Sequence, residues 1–418
     1  MKRLFLIPDT QTNTISYYHL LCFLIALPFD RFYSQLVLIS LIIHTLIHLR
    51  RERLKLLLTK EVLIVSALYF VSLICIIYSF NKKQGWSDST IQLALLLFPV
   101  ILSLNGLDLK KYRWPLLEIF GLTVALVVIY LYADALLTIR YYHLPYGTLF
   151  TASFMNHNFA EPIGMHATYL SMYVAFSASV CILRLLKAEA MLKRILYGCC
   201  AIVLMAGLLQ LSSRAVCFAM VLILLLGFPL FLFTAKRKLI FIGIAAMGLT
   251  LVSFTVFHVD TFKERYASEL KKDLSPSIQN IGATEPRMIR WKVAMELVRQ
   301  SPIVGYGSGT EIELLKEKYF ERKLFSAYLN RFNAHNEYIS LMLKTGIQGL
   351  LVYLFVLVYG LITAWQKRDV LFATFMILLI VASISENILD LNKGIFFYSF
   401  FFMFFLLIHR KDAIPPAR

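Results

Sequence analysis

The sequence predicts an all-α, polytopic membrane protein with about twelve transmembrane helices and one large external helical loop. Three observations carry that prediction. Of 418 residues, 59% are hydrophobic and 16% charged, against about 45–50% apolar and about 25% charged in soluble domains. A chain of this size has too little interior to hide so much apolar surface, which excludes soluble, disordered, fibrous and disulfide-scaffold classes. The apolar residues gather in runs close to the roughly 20 residues a helix needs to cross about 30 Å of hydrocarbon. The loops between those runs alternate between basic and nearly uncharged. The net charge of +17 therefore reports topology rather than an affinity for nucleic acid.

By that ruler the spans fall near 15–30, 33–49, 61–80, 90–104, 115–136, 163–183, 195–212, 215–234, 239–258, 346–364, 370–386 and 393–409. The basic loops hold Lys2 and Arg3, Arg50 to Lys60, Lys110 to Arg113, Arg184 to Arg194, Lys236 to Lys238, Lys367–Arg368 and Arg410–Lys411. Short cytoplasmic loops carry the Lys/Arg excess, so this set is expected inside, with both termini cytoplasmic. Met1–Phe5 is basic, but polar Asp9–Ser16 separates it from the first apolar run, so no cleavable signal is expected. The six cysteines lie in apolar runs without metal-ligand spacing and are expected to be buried thiols.

The chain divides into 1–258 with nine spans, a loop at 259–345, and 346–418 with three spans and a tail. The loop mixes acidic and basic residues and contains Ser275–Pro276 and Glu285–Pro286. Helices are expected at about 260–273, 286–300 and 311–326, with a fourth starting near Asn333 and running on into the tenth span. Ordered loops of such length usually carry function.

Candidate chemistry gathers on the external side. Ser213–Arg214 joins two apolar runs almost without a loop, which holds Arg214 at the membrane surface. The competing reading is an arginine that snorkels to lipid phosphates. Arg287 and Trp291 share a helix face, with Arg290 nearby. A guanidinium fork binds phosphate bidentately, which lysine cannot do. The plainer alternative is an amphipathic helix resting on the bundle. The turn 301–309 with Gly305, Tyr306, Gly307 and Gly309 allows close backbone approach but lacks the lysine and spacing of a nucleotide loop. Asn333 is expected to cap a helix whose first turn holds His335, where the helix dipole favours a neutral imidazole able to act as a base. Asn156, His157 and Asn158 precede the sixth span, with His166 expected inside it; they either bind sugar hydroxyls or cap the span. No metal-binding pattern appears, so no metal or cofactor is expected.

In this order the motifs resemble the O-antigen ligase family, the bacterial membrane enzymes related to O-antigen polymerases. Ser213–Arg214–Ala215 is similar to the family's Ser-Arg junction, and Arg287, Trp291, Pro302 and Gly305–Tyr306–Gly307 to its Arg-x-x-x-Trp…Pro-x-x-Gly-x-Gly segment. His335–Asn336, followed by 337–345 and Gly346–Ile347–Gln348–Gly349, is similar to its His-Asn-x9-Gly-x-x-Gly signature. The resemblance implies a periplasmic loop and transfer of a glycan from undecaprenyl pyrophosphate to lipid A–core at the periplasmic face of the inner membrane. Nucleotide sugar and metal are not implied. Arg214 and Arg287 would clamp the pyrophosphate, and His335 would activate the acceptor hydroxyl with inversion. Arg290, Trp291, Tyr306 and Asn336 join Asn156, His157 and Asn158 as candidate substrate-binding residues.

Three rivals define what must be distinguished. A polymerase would use a second lipid-linked glycan as acceptor. A protein glycosyltransferase would use a protein hydroxyl. A glycan transporter would be expected to show repeated halves and ionisable residues at mid-membrane, whereas here the charges sit near one surface.

Overall fold

The computed structural model describes residues 7–274 and 285–410, and every element among them is helical. The predicted features at Met1–Phe5, Lys2, Arg3, Ser275–Pro276 and Lys411 lie outside the described residues. The helices of the first half are α1 (Gln11–Ala26), α2 (Arg31–Ile47), α3 (Lys60–Ile74), α4 (Lys82–Gln92), α5 (Ala94–Leu104), α6 (Arg113–Tyr141), α7 (Ala167–Lys187) and α8 (Met191–Leu211). Then come α9 (Arg214–Leu232, with a π-turn within it) and α10 (Ala235–His258). The loop contributes α11 (Asp260–Lys263, continued through Glu264–Ser268 and Glu269–Asp273), α12 (Arg287–Gln300), α13 (Glu311–Glu321) and α14 (Phe325–Leu329). The chain closes with α15 (Glu337–Gln366), α16 (Val370–Ala382) and α17 (Asn392–His409).

Each of the twelve apolar runs coincides with helix, yet eight helices among the described residues are both long and apolar enough to cross a membrane. The pair Arg51–Leu58 and α3, bent by 62°, makes a ninth if taken as one span. The apolar helices α2 and α16 are shorter, at 17 and 13 residues. The outer faces are those of a membrane protein. On α10 Leu239, Ile244, Met247, Leu251 and Phe254 all stand exposed, and on α2 so do Leu36, Ile39, Ile43 and Ile47. Apolar faces this long have no place in water. At the centre stands α17, with Phe396, Phe397, Phe400, Phe401, Phe404 and Phe405 fully buried against α5, α7 and α16.

The loops sort into two ends. Lys111 pairs with Asp9 at 3.0 Å, and Asp369 receives Arg113 at 2.7 Å and His409 at 2.6 Å. All four segments belong to the predicted basic side. At the other end the Tyr78 hydroxyl donates to the Val304 carbonyl and the Lys393 ammonium to the Leu27 carbonyl.

Several predicted boundaries are corrected. The sixth span starts at Ala167, so His166 is its N-cap rather than a residue within it; its Nδ1 accepts from the Thr168 amide at 3.3 Å. The eleventh span, α16, ends at Ala382, not 386, which leaves Glu386 and Asn387 outside any helix and Asp390 at the end of a single 3-10 turn. Pro286 is the N-cap of α12 and Arg287 its first residue. The cap of α15 is Asn336, whose side chain accepts from the Ile339 amide. The expected cap, Asn333, instead accepts from the His335 amide at 3.0 Å. His335 has φ 45°, a left-handed conformation that ends any helix there, so it precedes the first turn of α15 rather than lying in it.

The loop helices form a small second core of Val293, Ala294, Leu297, Leu315, Tyr319 and Ala327 on Leu343 of α15. The glycine turn is a stitch that holds this core down. The Tyr306 and Gly307 amides donate to the Leu343 and Lys344 carbonyls at 2.8 and 2.9 Å, and the Ile347 amide donates to the Pro302 carbonyl at 2.9 Å. That crossing explains Gly346, which breaks α15 with φ 64° and ψ −161°. A Cβ there would collide with the Ile303 carbonyl. Gly346→Ala is therefore expected to destabilise the loop's attachment by at least about 1–3 kcal/mol. Faster protease cleavage within 285–345, relative to wild type, checks it.

Candidate functional site

Two short connections bring the arginines together. After α8, Ser212 adopts φ 47° and Ser213 is extended, so the chain reverses within two residues and Arg214 becomes the first residue of α9. Arg287 likewise opens α12. Both guanidinium groups thus belong to helix N-termini, where the orphan amides and the dipole also favour an anion. They meet on one carboxylate. Asp273, at the end of α11, takes a close ion pair from Arg214 and a longer one, at 3.7 Å, from Arg287 Nε. The Arg287 Nη1 also donates to the Ser385 carbonyl at 3.1 Å, which ties it to the segment before Glu386.

His335 sits beside that segment. Its Nδ1 lies 3.3 Å from Glu386 Oε2, while the Thr168 hydroxyl donates to Glu386 Oε1 at 3.4 Å. Burial pushes the Glu386 carboxyl up, but the hydrogen bond from His335 and the nearby Arg287 guanidinium outweigh it and hold the carboxyl below its ordinary range. An ionised carboxylate only accepts, so the proton shared with His335 belongs on Nδ1 and Nε2 keeps its lone pair. Glu386 is the group sequence reasoning missed as a site residue. Its only signal was a carboxylate at the end of an apolar run.

The loop carrying His335 is braced from both sides. The Trp291 indole donates to the Ala334 carbonyl at 2.9 Å. Arg290, only 5% exposed, places its guanidinium 4.9 Å from the centre of the Phe332 ring, and that ring packs on His335 at 5.7 Å. Its Nε and Nη1 have no partner among the described residues. Asn336, capping α15, donates its own amide to Asn387 Oδ1 at 2.9 Å. Below them the buried Glu311 binds the Ala334 amide, the Ser340 hydroxyl and Lys344, the last at 3.2 Å. Burial alone would raise the Glu311 carboxyl; Lys344, Ser340 and the Ala334 amide instead hold it low.

Other candidates lie further out. The Tyr306 hydroxyl donates to the Leu297 carbonyl, within the second core. Asn156, His157 and Asn158 line a separate hollow of about 260 Å³ with Arg265 and Glu269. His157 still reaches inward, its ring 4.3 Å from that of His166. Burial lowers both imidazoles, His166 to about 4, so both are neutral at pH 7. His335, Glu386 and His166 line a larger cavity of about 480 Å³, which Arg214 and Arg287 do not border.

Residues 199–354 match the family model described as O-Antigen ligase. Over that segment the chain is similar to the O-antigen ligase family. The matched O-antigen ligase segment contains Arg214, Arg287, Trp291, His335 and Gly346, but it ends before Glu386. The family unites ligases and polymerases of a glycosyltransferase-like kind, acting on lipid-linked glycans in the membrane. No curated protein matches the chain.

Glu386 is expected to act through His335. In Glu386→Gln the carboxamide can still occupy the site but leaves an imidazolium uncompensated. Turnover is expected to fall about 10–10²-fold, with the Michaelis constant for the donor little changed. Equal losses in both constants would assign Glu386 a binding role instead.

Proposed function

We propose that this protein transfers a glycan from undecaprenyl pyrophosphate to a hydroxyl of lipid A–core, at the periplasmic face of the bacterial inner membrane. The observation that carries this reading is the His335–Glu386 pair opening on a polar cavity, beside two arginines that converge on one anion. Loop charge supports the orientation: the basic end faces the cytoplasm with both termini, and the 259–345 loop is periplasmic. The full count of twelve spans follows if α1, α2, α3 and α16 also cross, tilted or with thinned bilayer around them.

In this reading His335 Nε2 takes the proton of the acceptor hydroxyl as its oxygen attacks the anomeric carbon. The bond from that carbon to the phosphate oxygen breaks on the opposite face, and undecaprenyl pyrophosphate leaves. Configuration inverts. Arg214 and Arg287 bind the pyrophosphate in place of Asp273 and stabilise the charge that grows on the leaving oxygen. Those guanidinium groups supply the positive charge, so neither metal nor other cofactor is required. Glu386 stabilises the imidazolium that forms. Arg290, Trp291 and Asn336 hold the His335 loop, and Asn156, His157 and Asn158 border the donor side.

The test uses purified protein in lipid vesicles with an undecaprenyl-pyrophosphate-linked glycan, with and without lipid A–core. Glycan appearing on lipid A–core only when it is added is the expected result. Donor chains that lengthen without it would establish a polymerase and overturn the assignment.

A further inference from the structure

The 480 Å³ cavity in front of His335 is built by parts of the chain that lie on both sides of the family match. Its outer wall is α4, the polar helix before α5, through Gln84, Asp88 and Gln92. The segment after α16 also lines it, with Asn387 and Asp390. Charge decides what fits there. Five carboxylates line it (Asp88, Glu311, Glu313, Glu386 and Asp390) against two cations, Arg331 and Lys344. Lys344 is already engaged by Glu311 and Asp390, at 3.2 and 2.6 Å. Such a cavity repels phosphate. Its other polar groups include the side-chain amides of Asn81, Gln84, Gln92, Asn333 and Asn387, which with the carboxylates offer donors and acceptors in the mixture that sugar hydroxyls need.

Position gives the second half of the inference. A displacement with inversion requires the nucleophile and the leaving group on opposite faces of the anomeric carbon. The arginines lie outside this cavity, whereas the base lines it. We propose that this cavity is the acceptor-sugar site, taking a neutral, hydroxyl-rich saccharide, with Gln84 and Asp88 on α4 as its recognition residues. The proposal rests on the functional reading above. Asp88 accepts one hydrogen bond, from Gln84 Nε2 at 2.8 Å, which orients the amide and leaves carboxylate lone pairs for hydroxyl groups. Gln84 is exposed, so its loss leaves the packing of α4 intact.

Two measurements on the full chain separate this proposal from the functional one. The first is binding of deacylated core oligosaccharide to the purified protein without donor. Gln84→Ala is expected to raise its Kd about 2–10-fold, as for a neutral hydrogen bond, and Asp88→Ala about 10–10²-fold, as for a charged one. The variant Gln84→Glu, which keeps the length but adds a charge, should weaken binding without lowering the melting temperature. An unchanged Kd in all three, or no binding to the wild type, would overturn the proposal. The second is steady-state transfer to lipid A–core, in which Gln84→Ala should raise the acceptor KM and leave the donor KM unchanged. A donor KM that rises alone would assign the cavity to the donor glycan. Wild-type protein that binds the oligosaccharide but transfers nothing to lipid A–core would sink the functional reading and leave the cavity assignment standing.

Discussion

Alanine at position 335 is expected to lower turnover about 10²–10⁴-fold, the usual range for loss of a positioned general base. The reason lies in three contacts. The left-handed backbone of His335 sets its ring just before α15, Phe332 packs on one side of it, and Glu386 faces Nδ1. Alanine removes the Nε2 lone pair together with the ring's contacts to Phe332 and Glu386, while the bonds of Trp291 to the Ala334 carbonyl and of Asn333 to the His335 amide still hold the loop. Donor binding should therefore survive. Normal transfer by His335→Ala across a pH series would end the general-base assignment.

The arginines give the other large effect. Arg287→Lys keeps a charge but loses the planar fork, and turnover is expected to fall about 10–10²-fold. Arg214→Ala, which removes a donor aimed at the leaving group, should lose about 10²–10³-fold. In the structure both groups already hold Asp273. Substrate must therefore displace a carboxylate that the lysine variant would hold less well. The Arg287→Lys defect should accordingly be larger in turnover than in donor KM. Full activity in that variant would remove Arg287 from phosphate binding.

The membrane class was legible because it rests on composition and run length, which packing cannot overrule. The two-ended sorting of loops was legible for the same reason: Lys111 and Asp9, and Arg113 and Asp369, are pairs between loops of one charge class. Boundaries at polar junctions were not. Past Ala382 the sequence reads Ser383–Ile384–Ser385 with no proline or glycine, so nothing local said that α16 stops and releases Glu386. Asn333 and Asn336 are equally good caps by residue type. The choice between them is made by the left-handed His335 between them. The Arg214–Asp273 pair spans 59 residues of sequence, and α4 as a cavity wall meets residues further away still. A single chain's spacing carries no record of such contacts. The glycine turn, whose spacing allows close backbone approach, uses it for the backbone crossing at Leu343–Ile347.

The central claim is a single direct displacement, driven by His335 with Glu386 behind it. The most direct test is the anomeric configuration of the new glycosidic bond, read by NMR coupling constants on product and donor. The account predicts inversion in a single step. Retention would contradict it, because it requires two displacements through a glycosyl-enzyme intermediate, with a carboxylate such as Glu386 as nucleophile rather than as partner of the base.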